Sequence, residues 1–172
     1  MHRSKNHRDL SSVNIKIHPD EADRDRKEQK EGIMERQRIL IVDDEEAIRQ
    51  TLREYFESEG FEVLEAADGT SAIEIARRER FEVVLTDLKM PDIDGLQVVD
   101  EIGRIRPDAV ALILTGYPSP ETTARALKLG CRGYITKPIN LRHLRYLIYW
   151  GLIQRNWERQ DLRKLRSRSE SQ

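Results

Sequence analysis

Apolar residues come in short runs through the middle of the chain, at 39–42 (ILIV), 61–64 (FEVL), 83–85 (VVL), 109–114 (AVALIL) and 133–136 (GYIT). Most of these runs are continuous rather than alternating, as in strands buried on both faces. Between them apolar residues recur at helical spacing. Ile48, Leu52, Tyr55 and Phe56 share a face of segment 45–59, and Ala72, Ile73 and Ala76 share one of 69–79. Leu96, Val99 and Ile102 do so in 95–104, and Ala124 with Leu127 in 120–129. Pro120 suits a first helical turn, Asn140 suits a cap, and Gly60 and Gly130 stand where helices should stop. Five strands alternating with five helices predict a doubly wound parallel sheet covered on both faces, with right-handed connections. Sites in such sheets form beyond the carboxyl ends of the strands.

The flanks lack this pattern. Residues 1–35 are highly charged, and "PDEADRDRKEQKEG" cannot build a core, so a disordered leader is expected there. "VNIKI" at 13–17 alternates like a strand but has no evident partner. The regular pattern covers 36–155, leaving 156–172 as a basic helical extension or tail. Those residues are too few for a helix-turn-helix or an ATPase module, so the expected output is protein contact by a stand-alone regulator.

Charge is unevenly placed. Residues 35–140 hold 14 Lys+Arg against 21 Asp+Glu, a net of −7, and residues 141–172 hold 8 against 3, a net of +5. An acidic middle argues against direct DNA binding there and suits a domain that holds a cation. The single cysteine, Cys131, excludes an internal disulfide and a cysteine-based zinc cluster. The N-terminus has no apolar signal region, and "LRYLIYWGLI" at 144–153 is too short to span a bilayer. A cytoplasmic protein without membrane attachment is expected.

Candidate chemistry stands where each strand stops. Asp43 and Asp44 follow the first strand, Asp87 the third, Thr115 the fourth and Lys137 the fifth. The fold brings all of these to one edge. Three carboxylates together repel unless a cation neutralises them. A hard divalent ion with oxygen ligands would do so, and few protein ligands favour Mg²⁺ over Ca²⁺. A carboxylate beside such an ion, with a lysine and a hydroxyl, is suited to accept a phosphoryl group as an acyl phosphate.

The pair Asp43/Asp44, "DLKMPDIDG" at 87–95, "LTG" at 114–116 and "YITKP" at 134–138 lie on successive strand ends. Together they resemble the response-regulator receiver domains of two-component signalling, over about residues 37–155. The resemblance implies a flavodoxin-like (βα)5 fold with strand order 2-1-3-4-5. It implies that Asp87 is the phosphoacceptor. Asp43, Asp44, Asp87 and the backbone carbonyl of Lys89 would hold Mg²⁺. Lys137 would pair with the phosphoryl oxygens, and Thr115 and Tyr134 would form the switch. Pro138 would follow Lys137 through a cis bond, and Gly95 would shape the loop. Gly116 stands where the family more often has alanine. Lys89 and Tyr117, two residues beyond Asp87 and Thr115, would flank the path of the attacking water. The donor would be a sensor histidine kinase or a phosphotransfer protein. "TDLKMPDIDGL" further resembles receivers that precede ATPase modules in transcriptional activators.

Other classes were weighed. A haloacid-dehalogenase-type phosphatase wants an aspartate two residues after its nucleophile, and Lys89 stands there. A flavodoxin-like electron carrier needs a phosphate cradle after the first strand, where "DDEEA" would repel phosphate. A degenerate receiver used for docking would have lost site residues, and none is lost. Asp92 and Asp94 read as solvated loop residues.

The last helix carries more apolar side chains than one face can bury. Leu144, Leu147 and Ile148 are expected to pack on the sheet. Tyr146, Tyr149, Trp150 and Ile153 would then be left exposed, as an interface for a partner or a second copy forming a homodimer.

Overall fold

The computed structural model describes residues 37–169, and side chains as far as residue 163. The expected disordered leader over 1–35, with its "VNIKI" segment, lies outside the described residues.

Strands β1 (Arg38–Val42), β2 (Glu62–Ala66), β3 (Val83–Asp87), β4 (Val110–Thr115) and β5 (Gly133–Thr136) form one sheet in the order β2-β1-β3-β4-β5. Every pairing is parallel. Helices α1 (Glu46–Ser58), α2 (Gly69–Arg78), α3 (Gly95–Ile105), α4 (Pro120–Lys128) and α5 (Leu141–Ser169) alternate with the strands. This is the parallel sheet expected from the alternating runs, in the flavodoxin-like strand order that the resemblance implied. Gly60 and Gly130 follow α1 and α4 with φ of 91° and 80°, a region that side-chain-bearing residues avoid.

Strand residues alternate between two buried layers. Leu40, Val42, Val84 and Ile113 face a cluster with Ala72, Ala76, Leu96, Val99, Ile102 and Ala126. The intervening Ile39, Ile41, Leu85, Leu112 and Leu114 are equally buried, as are Leu52 and Phe56 of α1 and Leu144, Ile148 and Leu152 of α5. Each such aliphatic side chain stabilises the fold by about 1.5–3 kcal/mol. The register aligns the carboxyl ends: Val42 pairs with Thr86, Asp87 with Leu114, and Thr115 with Thr136.

Two helix faces differ from expectation. In α4 the buried residue is Ala126, while Ala124 is exposed and Leu127 is 66% exposed. The helix turns the half-buried Thr122 and Thr123 inward with Ala126, one turn apart, because Thr122 bonds to β5 (below). In α5 Leu144, Ile148 and Leu152 are buried, and Leu147 is half-buried near Gly133, where a Cβ would lie 3.3 Å from its Cδ1. The helix also runs well past residue 155.

Candidate functional site

Asp43 immediately follows β1 and is fully buried. Its Oδ1 accepts the Glu45 backbone N–H at 2.9 Å, which folds the chain back into α1. The Arg49 guanidinium of α1 donates to the Asp43 carbonyl at 2.6 Å. Asp87 ends β3 and is also buried, and its Oδ2 accepts the Lys89 N–H at 3.0 Å. Gly95 lies so close that a Cβ there would sit 2.1 Å from the Asp87 carbonyl oxygen, so only glycine fits. The loop from 88 to 94 therefore closes tightly against Asp87.

Lys137 crosses from the end of β5. Its Nζ lies 3.0 Å from Asp43 Oδ2, 3.0 Å from Asp87 Oδ1 and 3.5 Å from Glu45 Oε1. The peptide bond to Pro138 is cis. Burial pushes the Asp87 carboxyl above the usual range; Lys137 opposes this, and the Asp43 charge reinforces it. Burial disfavours the Lys137 ammonium, but its bonds to Asp43 and Asp87 outweigh that and hold its pKa above the ordinary value. Thr115, at the end of β4, is buried with its Oγ1 accepting the Tyr117 N–H at 3.0 Å. Tyr134 is half-buried, and its hydroxyl meets Thr122 Oγ1 of α4 at 2.6 Å. Lys89 Nζ stands 4.5 Å over the Tyr117 ring, above the site.

The edge thus gathers the buried Asp43, Asp87 and Thr115 with the half-buried Lys137, and Asp44 is exposed beside them. Three carboxylates against one ammonium leave two negative charges uncompensated, consistent with the raised Asp87 pKa. Among the described residues no three His, Cys, Asp or Glu side chains are gathered closely enough to hold a metal ion by themselves. The carboxylate donors of this edge are all oxygens, which suit a hard divalent cation.

Several contributors escaped the sequence reading. Glu45 joins Lys137, and Thr122 holds Tyr134. Asp92 is not merely solvated: its carboxylate accepts the Gly69 and Thr70 N–H groups and the Thr70 hydroxyl at the start of α2. Asp94 caps α3 in a reciprocal pair with Gln97. The D-x-x-Q spacing of that pair is itself a readable helix-start signal.

On α5 the expected interface is only partly exposed. Tyr146 and Trp150 are 63% and 44% exposed. Tyr149 and Ile153 are half-buried. Tyr149 lies on the flank toward α1, its ring 6.2 Å from that of Phe61, and burial beside Glu59 pushes its phenol pKa up. Arg145 pairs with Glu59 at 2.8 Å and fixes that flank. Trp157, 57% exposed, extends the outer stripe, with its ring 6.2 Å from that of Trp150.

Comparison with known proteins agrees with this geometry. Residues 39–149 match the family described as response regulator receiver domain. The chain is 37% identical over 128 residues to the response regulator protein PilR of Pseudomonas aeruginosa, covering 74% of this chain and 29% of that protein. It is 33% identical to sporulation initiation phosphotransferase F of Bacillus subtilis, covering 65% of this chain and 90% of that one. A CheY-like receiver domain from Methanospirillum hungatei superposes with a TM-score of 0.69 at 35% identity, over 71% of this chain and 98% of that one. The chain spans about 30% of the length of several matched relatives, among them PilR and a cyclic di-GMP phosphodiesterase of Thermotoga maritima. The chain belongs to the response regulator receiver domain family.

Proposed function

We propose that this protein accepts a phosphoryl group on Asp87 from a sensor histidine kinase or a phosphotransfer protein, and that the acyl phosphate switches its protein contacts. The observation that carries this reading is Lys137 Nζ at 3.0 Å from both Asp43 and Asp87. A buried carboxylate with a fixed ammonium beside it is positioned to attack phosphorus. An Asp87 oxygen forms the new P–O bond as the donor's bond to phosphorus breaks. Lys137 is placed to neutralise charge on the transferred oxygens, and the Thr115 hydroxyl to donate to one of them.

Asp43, Asp44, Asp87 and the Lys89 carbonyl would hold Mg²⁺, which would offset the remaining negative charge during transfer. A Burkholderia pseudomallei response regulator, 30% identical with a TM-score of 0.64 over 72% of each chain, was crystallised with a phosphorylated aspartic acid and a calcium ion. That supports both the acceptor and the cation. Thr115 and Tyr134 would carry the switch, since drawing the Thr115 hydroxyl toward the phosphoryl group changes the space beside Tyr134. The output would be partner docking or self-association through α5, without direct DNA binding or enzymatic turnover of another substrate. The chain would work in the cytoplasm. No described helix is long and apolar enough to cross a membrane. Cys131 is buried, with its thiol pushed up to about 12 by burial, so it stays inert.

Incubation with acetyl phosphate and Mg²⁺ tests the reading by mass spectrometry. The wild type should gain one base-labile phosphoryl group, and Asp87→Asn should gain none, because an amide is not a nucleophile. Equal labelling of both proteins would refute the assignment.

A further inference from the structure

At the opposite end of the sheet from Asp87 lies a second cavity, of about 460 Å³, within the size range of small-molecule sites. We infer that it binds a small organic anion: a carboxylate or phosphate ester carrying an apolar body. The cavity borders Val110, where β4 begins, and is closed by the part of α5 beyond residue 149, where the family match ends. Gly151 permits this closure. A Cβ there would lie 2.6 Å from Val110 Cγ1, so glycine lets α5 lie against β4 and carries Arg155, one turn on, into the cavity.

Four guanidinium groups line the space, from Arg106, Arg132, Arg155 and Arg159, against the carboxylates of Asp108 and Glu158. Two of the cations are paired: Arg132 with Glu158 at 2.7 Å, and Arg159 with Asp108. Arg106 donates to the Glu79 carbonyl at 3.0 Å, but its Nε is buried without a partner among the described residues. Arg155 is the extreme case. It is 8% exposed, and its Nε also has no partner among the described residues. Its one hydrogen bond is long, 3.4 Å to the Glu82 carbonyl. The Glu82 carboxylate accepts the Arg38 N–H at 2.8 Å and attracts the Arg155 cation from nearby, but forms no hydrogen bond with it among the described residues. Desolvation accordingly pulls the Arg155 pKa down.

The carboxyl ends of α3 and α4 approach the same space. Their carbonyls carry about half a negative charge each, which with Glu82 offsets most of the surplus charge. The buried Arg155 guanidinium nevertheless keeps donors without an acceptor in hydrogen-bond reach among the described residues. Stability alone would favour an apolar residue at 155 over an unpaired buried ion. An anionic ligand supplies the missing acceptors, and the planar guanidinium forks suit carboxylate and phosphate oxygens. Ile102, Leu129 and Leu162 supply the apolar wall for the rest of the ligand.

Calorimetric and thermal-shift titration of the full chain with benzoate and with phenyl phosphate tests the inference. Benzyl alcohol serves as the neutral control and inorganic phosphate as the control without an apolar body. At least one aromatic anion should bind saturably and raise Tm, and both controls should bind at least tenfold more weakly. Arg155→Met should weaken the anion at least tenfold without lowering the Tm of the unliganded protein, and Arg106→Gln should also weaken it. Labelling of Asp87 by acetyl phosphate should persist in both variants, which separates this site from the phosphoacceptor. Absence of binding at millimolar anion, binding indifferent to both substitutions, or controls that bind as well as the anions would overturn it.

Discussion

Lys89 and Tyr117 form the most exposed contact at the site, an ammonium 4.5 Å from a ring that is itself 72% exposed. They lean toward each other from the loops after β3 and β4, and their backbone N–H groups bond Asp87 and Thr115. Such an exposed cation–π contact is worth about 0.5–1 kcal/mol. If it must open before water reaches the acyl phosphate, removing it should speed hydrolysis roughly two- to fivefold, the rate equivalent of that energy. Lys89→Ala and Tyr117→Ala should therefore each shorten the phosphorylated lifetime, read by the decay of base-labile phosphate. Unchanged decay in both would mean that the pair does not screen the site. The residues gathered at that edge were legible because each stands where an apolar run ends, and a parallel sheet must align those ends. Glu45 and Thr122 were not. Their roles depend on how a helix is rotated about its axis, and α4 is rotated so that its threonines, rather than Ala124 and Leu127, face inward.

One helix start on this sheet, that of α2, is held partly from outside its own segment, which single-segment reading cannot see. Asp92 belongs to the loop before α3, yet it satisfies the first N–H groups of α2, 22 and 23 residues earlier. Burial opposes the charged form, but the hydrogen bonds from Ile93, Thr70 and Gly69 prevail and hold its pKa at about 2. A depressed carboxylate contributes stability above its unfolded pKa and loses it as pH falls through the folded value. The contribution should thus be complete at pH 7 and disappear as pH falls from the usual carboxylate range toward 2. Because Asp92 is exposed, solvent screening keeps the effect at the scale of an ordinary helix cap, about 1 kcal/mol. Asp92→Ala should lower Tm at pH 7 by about 2–4 °C. The difference from wild type should shrink on acidification; a difference that is constant down to pH 2 would show that the charge is not what matters. Strand β2 was displaced in the sequence reading for a related reason. It is an edge strand whose Glu65 pairs with Arg53 of α1 at 2.7 Å, so its later half carries no apolar run to read.

For the molecule as a whole, the proposed output rests on how α5 is held. Its inner face is fixed by Leu144, Ile148 and Leu152, and its flank by the Arg145–Glu59 pair and by Tyr149 against Phe61. Those anchors narrow the free aromatic surface to a single stripe of Tyr146, Trp150 and Trp157. The stripe is aromatic and charge-poor at its centre, the composition of an interface core. It is also coupled to the site, since α5 follows directly from the Lys137–Pro138 turn, and β5 carries both Lys137 and Tyr134. Movement of Tyr134 requires breaking its 2.6 Å bond to Thr122, which would release one tie between β5 and α4. Phosphorylation should therefore strengthen association through α5. Sedimentation velocity with and without beryllofluoride should show a shift from monomer toward dimer on adding the phosphoryl mimic. Buried tryptophans at interface centres typically contribute 2 kcal/mol or more, so Trp150→Ala should weaken the dimer roughly 30-fold or more while leaving Asp87 labelling intact. A wild type that stays monomeric in both states, together with partner capture that is indifferent to Trp150→Ala, would show that the stripe is ordinary surface.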